Sequence, residues 1–173
     1  MKRIDYLNGI ACFEEVSNGI DFSLVTYEKT NNFFGNEIYE ASFNFGKNDN
    51  NLKIKTFFYK SIFTAVNDYC KNNLIEIKKD MWIKFENHLI QFPGNEDPQL
   101  NKRCADLNEG KYVMLYCLDT INDGGFITIP NQNFSIHLQQ NSMLVFPTGK
   151  DYEYNIHKIG GNKERKFIEM VIG

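Results

Sequence analysis

One long stretch near the middle of this 173-residue chain has apolar residues at a helical period. Between residues 56 and 73 they recur at intervals of three and four, which places them along one face of a helix. The apolar positions are Phe58, Ile62, Phe63, Val66, Tyr69 and Cys70. This spacing predicts an amphipathic helix that packs on a sheet.

The remainder of the first half has weaker signals. Ile10, Phe13, Val16 and Ile20 also follow a helical spacing, which predicts a short helix. Alternation in residues 36–45 predicts a strand. These two elements support whatever the second half of the chain forms.

Two further segments of the first half complete the prediction. The polar residues 46–52 predict a loop. In residues 81–94 the alternation breaks at Glu86-Asn87 and then resumes, which predicts two strands joined by a tight turn.

The second half consists of short apolar runs separated by turn residues. The predicted strands are 111–118, 126–129, 133–138, 142–147, 153–158 and 166–172. With helices confined to the first half, this order indicates a mostly β, α+β fold: an antiparallel sandwich or barrel with helical support. No linker is evident, so residues 1–173 are predicted to form one domain, with 1–90 as support and 91–173 as the core barrel.

Composition narrows the classes of function. The chain is 42% hydrophobic and 24% charged, with a net charge of −3, so no basic surplus exists to neutralise nucleic-acid phosphates. The sequence contains no run of 18 apolar residues of the kind that spans a membrane, and its N-terminus lacks the apolar core of a signal peptide. The four cysteines have no C-x-x-C spacing and are expected to be free thiols. These features favour a cytoplasmic location, bacterial or in a host cytoplasm if the chain is viral.

Candidate chemistry lies in the second half. Asp106 and His157 supply a carboxylate and an imidazole from different predicted strands. Such a pair forms two-thirds of the facial triad that binds non-haem Fe(II) and leaves three coordination positions open. The third ligand normally lies two residues before the carboxylate, on the same face of an extended segment. That position is Cys104, which provides a softer sulfur ligand.

The order of these motifs resembles the 2-oxoglutarate- and Fe(II)-dependent dioxygenases, in particular the prolyl-4-hydroxylase-like branch. The matching segments, in chain order, are Phe92-Pro93-Gly94, Cys104-Ala105-Asp106, Tyr116-Cys117-Leu118-Asp119, Gly124-Gly125-Phe126, Leu144-Val145-Phe146-Pro147, His157 and Arg165. The resemblance covers residues 90–173 and implies a double-stranded β-helix, a jelly-roll or cupin-like barrel, with supporting N-terminal helices.

The resemblance also implies roles for individual residues. Asp106 and His157 would bind Fe(II), with Cys104 in place of the first histidine. Arg165 would hold the distal carboxylate of the small-molecule cosubstrate 2-oxoglutarate, while Lys166 points to the opposite face. Cys117 occupies an inward position where many relatives carry a tyrosine. The implied reaction is hydroxylation of a peptidyl, prolyl-type substrate.

Several alternatives remain open at this stage. A relative that has lost its first ligand would be catalytically degenerate and serve as a binding or assembly module. A cupin-like binding protein or sugar-modifying enzyme ranks last, because its metal site needs several clustered histidines and the chain has three, widely spaced. Individually, Asp106 can cap a turn, His157 can be a structural histidine, and Arg165 can be a surface residue. No oligomeric state is predicted.

Overall fold

The structure is a computed structural model that describes residues 1–16, 28–31, 37–40, 49–77, 83–94 and 110–173. Within these ranges, the side chains of 28–31, 37–40, 49–59 and 83–90 are not described. Cys104, Asp106 and Trp82 therefore lie outside the described residues, as does most of the strand predicted at 36–45.

The described residues form one α-helix and eleven strands. The helix is α1, Asp49–Asn72. The strands are β1 Lys2–Asp5, β2 Ala11–Glu14, β3 Glu28–Asn31, β4 Glu37–Glu40, β5 Ile83–Gln91, β6 Tyr112–Cys117, β7 Ile127–Ile129, β8 Phe134–Ile136, β9 Met143–Pro147, β10 Asn155–Ile156 and β11 Arg165–Ile172. The protein is thus mostly β, as predicted.

Two antiparallel sheets build the centre of the molecule. The larger has six strands in the order β1-β2-β9-β6-β11-β5, and the smaller has three in the order β10-β7-β8. Strands β3 and β4 form a separate antiparallel pair. Buried apolar residues from β6, β9 and β11 pack with those of β7 and β10, so the two sheets lie face to face.

Helix α1 covers the opposite face of the six-stranded sheet. Its buried residues Ile62, Ala65, Val66 and Tyr69 pack in one cluster with residues of β2, β6, β9 and β11. Burying an apolar stripe of a helix against a sheet is the main source of stability for such an element. The six-stranded sheet is therefore a middle layer, buried on both faces.

Alternate residues of strand β11 face the two opposite sides of the six-stranded sheet. Ile168, Met170 and Ile172 pack on the helix side, whereas Phe167 packs towards the three-stranded sheet. Arg165 lies two residues before Phe167 and therefore shares its face. The alternation places a guanidinium, not an apolar side chain, at the end of the space between the sheets.

The helix predicted from Ile10 to Ile20 is wrong over its described part, because Ala11–Glu14 form strand β2. The reason is double-sided burial: Ala11 and Phe13 face α1, whereas Ile10 and Cys12 face the other layer. A strand that is buried on both faces is apolar at nearly every position, so its period of two is hidden. The prediction of several supporting helices is corrected to the single α-helix of the described residues.

Two boundaries of the first half also differ from the prediction. The loop predicted at 46–52 is helical from Asp49, and the predicted turn at Glu86-Asn87 lies inside the continuous strand β5. Opposite β11, Glu169 pairs with Asn87 and Met170 with Phe85, so Glu86 is an extra residue of a β-bulge. A bulge interrupts the alternation as a turn would, without reversing the chain.

The other helix and strands predicted within the described residues are present. All six short strands of the second half are present: five are shorter than predicted by one to four residues, and the last begins one residue earlier, at Arg165. The core helix is confirmed and begins earlier than predicted, although Phe63 is 57% exposed and does not widen its apolar face. Cys12, Cys70 and Cys117 are free and buried. No helix among the described residues is long and apolar enough to cross a membrane.

Candidate functional site

The sequence-predicted site residues that the structure describes are Arg165, His157 and Cys117. Arg165 begins β11 and is completely buried, which excludes the alternative of a surface arginine. His157 directly follows β10, and its side chain is exposed. Cys117 ends β6 and packs in the cluster between the two sheets, so it points inward as predicted. Cys104 and Asp106 lie outside the described residues.

The guanidinium of Arg165 is held by backbone carbonyls and an aromatic ring. Its Nη1 donates to the carbonyl oxygen of Gly125, and its Nη2 donates to that of Leu138 at 2.7 Å. Its Cζ lies 4.4 Å from the ring centroid of Phe167. The Nε–H has no hydrogen-bond partner among the described residues. Burial of a charged group with an unsatisfied donor is costly unless a counter-charge binds there.

Gly125 provides the close wall against Arg165. Its φ is +71°, in the left-handed region that favours glycine, and a Cβ added there would lie 2.5 Å from Arg165 Nη1. The preceding Gly124 forms an isolated bridge with Ile159. The Gly-Gly pair therefore brings a backbone carbonyl onto the guanidinium.

The segment after β10 is held in place from two sides. His157 N donates to the Phe126 carbonyl oxygen at 2.8 Å, and Gly125 N donates to that of Lys158 at 2.8 Å. On the other side, Gln91 Nε2 donates to the carbonyl oxygen of His157 at 2.5 Å. The segment that carries His157 thus shares one hydrogen-bond partner, Gly125, with Arg165.

The imidazole of His157 already has a partner. Its Nε2 lies 2.8 Å from the hydroxyl oxygen of Thr128 on the neighbouring strand β7. Among the described residues, no group of three His, Cys, Asp or Glu side chains converges on a point where a metal ion can bind. The described residues on their own therefore do not fit an iron centre, and the predicted ligand set depends on Cys104 and Asp106.

Neighbouring charges distinguish Arg165 from Lys166. Lys166 Nζ lies 2.6 Å from a carboxylate oxygen of Glu164, so its charge is paired at the surface. Its backbone N–H donates to Asp119 Oδ2 at 2.9 Å, and burial raises the pKa of that carboxyl above its usual value. No ion pair is found for Arg165 among the described residues. Among these residues, the buried Arg165 lacks the carboxylate partner that the partly exposed Lys166 has.

Burial also controls the thiol of Cys117. Its Sγ donates to the Asp119 carbonyl oxygen at 3.0 Å, and desolvation raises its pKa, an effect that the positive charge of Arg165 partly offsets. The thiol is therefore neutral at physiological pH and acts as a small apolar wall near the guanidinium.

Sequence reasoning missed Gln91. This side chain is 2% exposed and closes β5 directly opposite Arg165 in the β5–β11 pair. The signal available was a polar residue at the end of an apolar strand, two positions after Leu89 on the same face. The extra residue at the Glu86 bulge breaks the alternation of the strand, so the face on which Gln91 lies could not be predicted from the start of β5.

Comparisons with known proteins give no family. No family model and no curated protein matches the chain. Among solved structures it is similar to a viral collagen prolyl hydroxylase from Paramecium bursaria Chlorella virus-1 in complex with 2OG, at 13% identity and a TM-score of 0.46, covering 65% of this chain and 70% of that one. A truncated form of the same enzyme has 14% identity and a TM-score of 0.45, covering 65% and 66%. Both TM-scores are below 0.5, so these likenesses carry no weight in assigning a function.

Proposed function

We propose that this chain is a 2-oxoglutarate-binding, oxygenase-like protein in which Arg165 binds a carboxylate of the cosubstrate. The observation that carries the proposal is the fully buried guanidinium, which has an unsatisfied Nε–H and no carboxylate partner among the described residues. A dicarboxylate would supply both the missing charge and the missing acceptor.

The geometry of arginine explains why a carboxylate is the ligand expected. A guanidinium has five N–H donors, and the described residues use one on Nη1 and one on Nη2. The Nε–H can still donate to one oxygen of a planar carboxylate. In water-poor surroundings such a charge-assisted pair is stronger than a neutral hydrogen bond.

The path of the chain supports the proposed double-stranded β-helix. From β6 onward, the chain passes from the six-stranded sheet to β7 and β8, returns to β9, crosses to β10 and returns to β11. This repeated crossing between two facing antiparallel sheets is the winding expected of a jelly roll. Arg165 on β11 and His157 after β10 then lie at ends of strands in opposite sheets.

The metal part of the proposal rests on the order of motifs. We propose that Asp106 and His157 bind Fe(II), with Cys104 at the position of the first ligand. For Nε2 of His157 to bind a metal ion, its hydrogen bond to Thr128 must be broken. The proposed substrate, a peptidyl or prolyl-type residue, follows from the same motif order.

Calorimetric titration of the purified protein with 2-oxoglutarate tests the cosubstrate site. Arg165→Met should weaken binding by about 100-fold or more, because it removes a charge and its hydrogen bonds. Lys166→Met is the matched control, since that lysine is paired with Glu164 at the surface. No binding by the parent protein, or equal binding by Arg165→Met with an unchanged melting temperature, would contradict the proposal.

A catalytically degenerate binding module is the second candidate. It is favoured by Cys104 at the first-ligand position. Anaerobic addition of Fe(II) and 2-oxoglutarate separates the two functions. An active oxygenase shows a weak metal-to-ligand charge-transfer band and then forms succinate in air, whereas a degenerate one does neither until Cys104→His restores iron binding.

A further inference from the structure

Gln91 and Arg165 face each other across two neighbouring strands. They are Cα partners in the antiparallel β5–β11 pair, and their side chains are 2% and 0% exposed. Side chains of directly opposed residues lie on the same face of a sheet, with Cβ atoms about 5 Å apart. The Gln91 amide therefore lies beside the Arg165 side chain, in the space between the two sheets.

The orientation of the Gln91 amide is fixed by its partner. Its Nε2 lies 2.5 Å from the carbonyl oxygen of His157, which can only accept a hydrogen bond. Reversing the amide would place two acceptors against each other. Its Oε1 is consequently directed elsewhere, and it is buried with no partner among the described residues, like Arg165 Nε.

We propose that Gln91 is a positioning residue that couples anion binding at Arg165 to the backbone segment carrying His157. The inference rests on the proposed carboxylate site at Arg165. An anion bound at Arg165 Nε places a negative oxygen beside Gln91, where Oε1 repels it and Nε2 attracts it. The amide turns Nε2 towards the anion, and its hydrogen bond to the His157 carbonyl weakens.

Gly125 connects the same two places by a second path. Its carbonyl accepts from Arg165 Nη1, and its N–H donates to the Lys158 carbonyl oxygen at 2.8 Å. Residues 157 and 158 are thus held by two partners that both adjoin the guanidinium. The amide nitrogen of Lys158 belongs to the same peptide group as the His157 carbonyl, so its ¹⁵N chemical shift reports the hydrogen bond that Gln91 makes.

Two substitutions separate coupling from ligand binding. Gln91→Met preserves size but removes the donor to His157. Gln91→Glu is isosteric and places a carboxylate beside Arg165. The matched controls are Gln140→Met and Gln140→Glu, because Gln140 is exposed and donates to the Leu118 carbonyl oxygen at 2.9 Å instead. The probe is 2-oxoglutarate without metal, followed by calorimetry and by assigned ¹H–¹⁵N spectra.

The expected results differ for each protein. In the parent and in both controls, 2-oxoglutarate binds and shifts the Lys158 amide resonance. Gln91→Met binds within about threefold of the parent but loses most of that shift, since Arg165 is intact and the coupling is removed. Gln91→Glu binds at least about tenfold more weakly, because its carboxylate pairs with Arg165 and competes with the ligand.

Each contrary result has its own meaning. Normal binding by Gln91→Met with an unchanged Lys158 shift, or parent-like affinity in Gln91→Glu, overturns the coupling and leaves the proposed function intact. Absence of 2-oxoglutarate binding by the parent protein overturns the proposed function, and with it the inference.

Discussion

Replacing Gly125 by alanine should damage the Arg165 site through a defined steric contact. The new Cβ would lie 2.5 Å from Arg165 Nη1 and 2.8 Å from Ile159 Cγ2, distances that real Cβ atoms essentially never show. Either the guanidinium or the segment around Ile159 must move. The backbone carbonyl that Gly125 offers to Arg165 would move with it.

Two terms contribute to the cost. A non-glycine residue at the φ of +71° loses about 1–2 kcal/mol of stability from backbone strain. Overpacking of a buried contact adds about 1–3 kcal/mol. Gly125→Ala should therefore lower the free energy of unfolding by about 2–5 kcal/mol.

Gly161→Ala isolates the first term, the backbone strain. Gly161 has a φ of +76°, and nothing lies within 4 Å of its added Cβ, so only backbone strain applies. Its expected loss is about 1–2 kcal/mol. Urea unfolding followed by circular dichroism measures both variants, and 2-oxoglutarate titration should show weakened binding for Gly125→Ala alone. Equal destabilisation of the two variants, to within about 0.5 kcal/mol, would refute the predicted contact with Arg165.

Three further predictions concern buried polar groups. Burial raises the folded-state pKa of Asp119, so its ionisation disfavours the folded state, and this cost disappears as pH falls from neutral towards about 4. Urea unfolding should show the parent gaining stability relative to Asp119→Asn over that range, and a constant difference would contradict it. Burial raises the pKa of the Cys12 thiol to about 12, so about 1 in 10⁴ of the molecules carry the thiolate at pH 8. A disulfide reagent should therefore label Cys12 only after unfolding. Rapid labelling of Cys12 in the folded protein, assigned by peptide mapping, would contradict this prediction. Tyr154→Phe removes a hydroxyl that donates to the buried Glu169 carboxylate, and it should lower the free energy of unfolding in urea by about 1–3 kcal/mol. Tyr152→Phe removes a hydrogen bond at the surface and should lower it by less. Equal losses in the two variants would contradict the role of burial.

The second half of the chain was readable from sequence because its strands are short and bounded by turn residues. Met143–Pro147 lies between Asn141-Ser142 and Gly149, and Tyr112–Cys117 lies between Gly110 and Asp119; these turn residues limit where each strand can begin and end. Helix α1 was found from Ile62, Val66 and Tyr69, whose spacing matches their burial. Local patterns sufficed where turn residues bound a strand or where one face of an element is polar.

The errors came from non-local causes. Strand β2 lies between two apolar layers, so its burial depends on partners distant in sequence. The bulge at Glu86 depends on the register against β11, which the sequence of β5 alone does not contain. The importance of Gln91 likewise follows from its pairing with Arg165, whereas the inward direction of Arg165 itself could be counted from the alternation of its own strand.

The double-sided burial of the six-stranded sheet has an evolutionary consequence. The cluster between this sheet and α1 consists of buried apolar residues, whereas Arg165 and Gln91 lie on the opposite face. Substitutions at the polar end of that opposite face can change chemistry while the helix-side core remains intact. Selection for a folded protein would therefore do little to preserve the residues of that polar end, and a lineage can keep this architecture while those residues change.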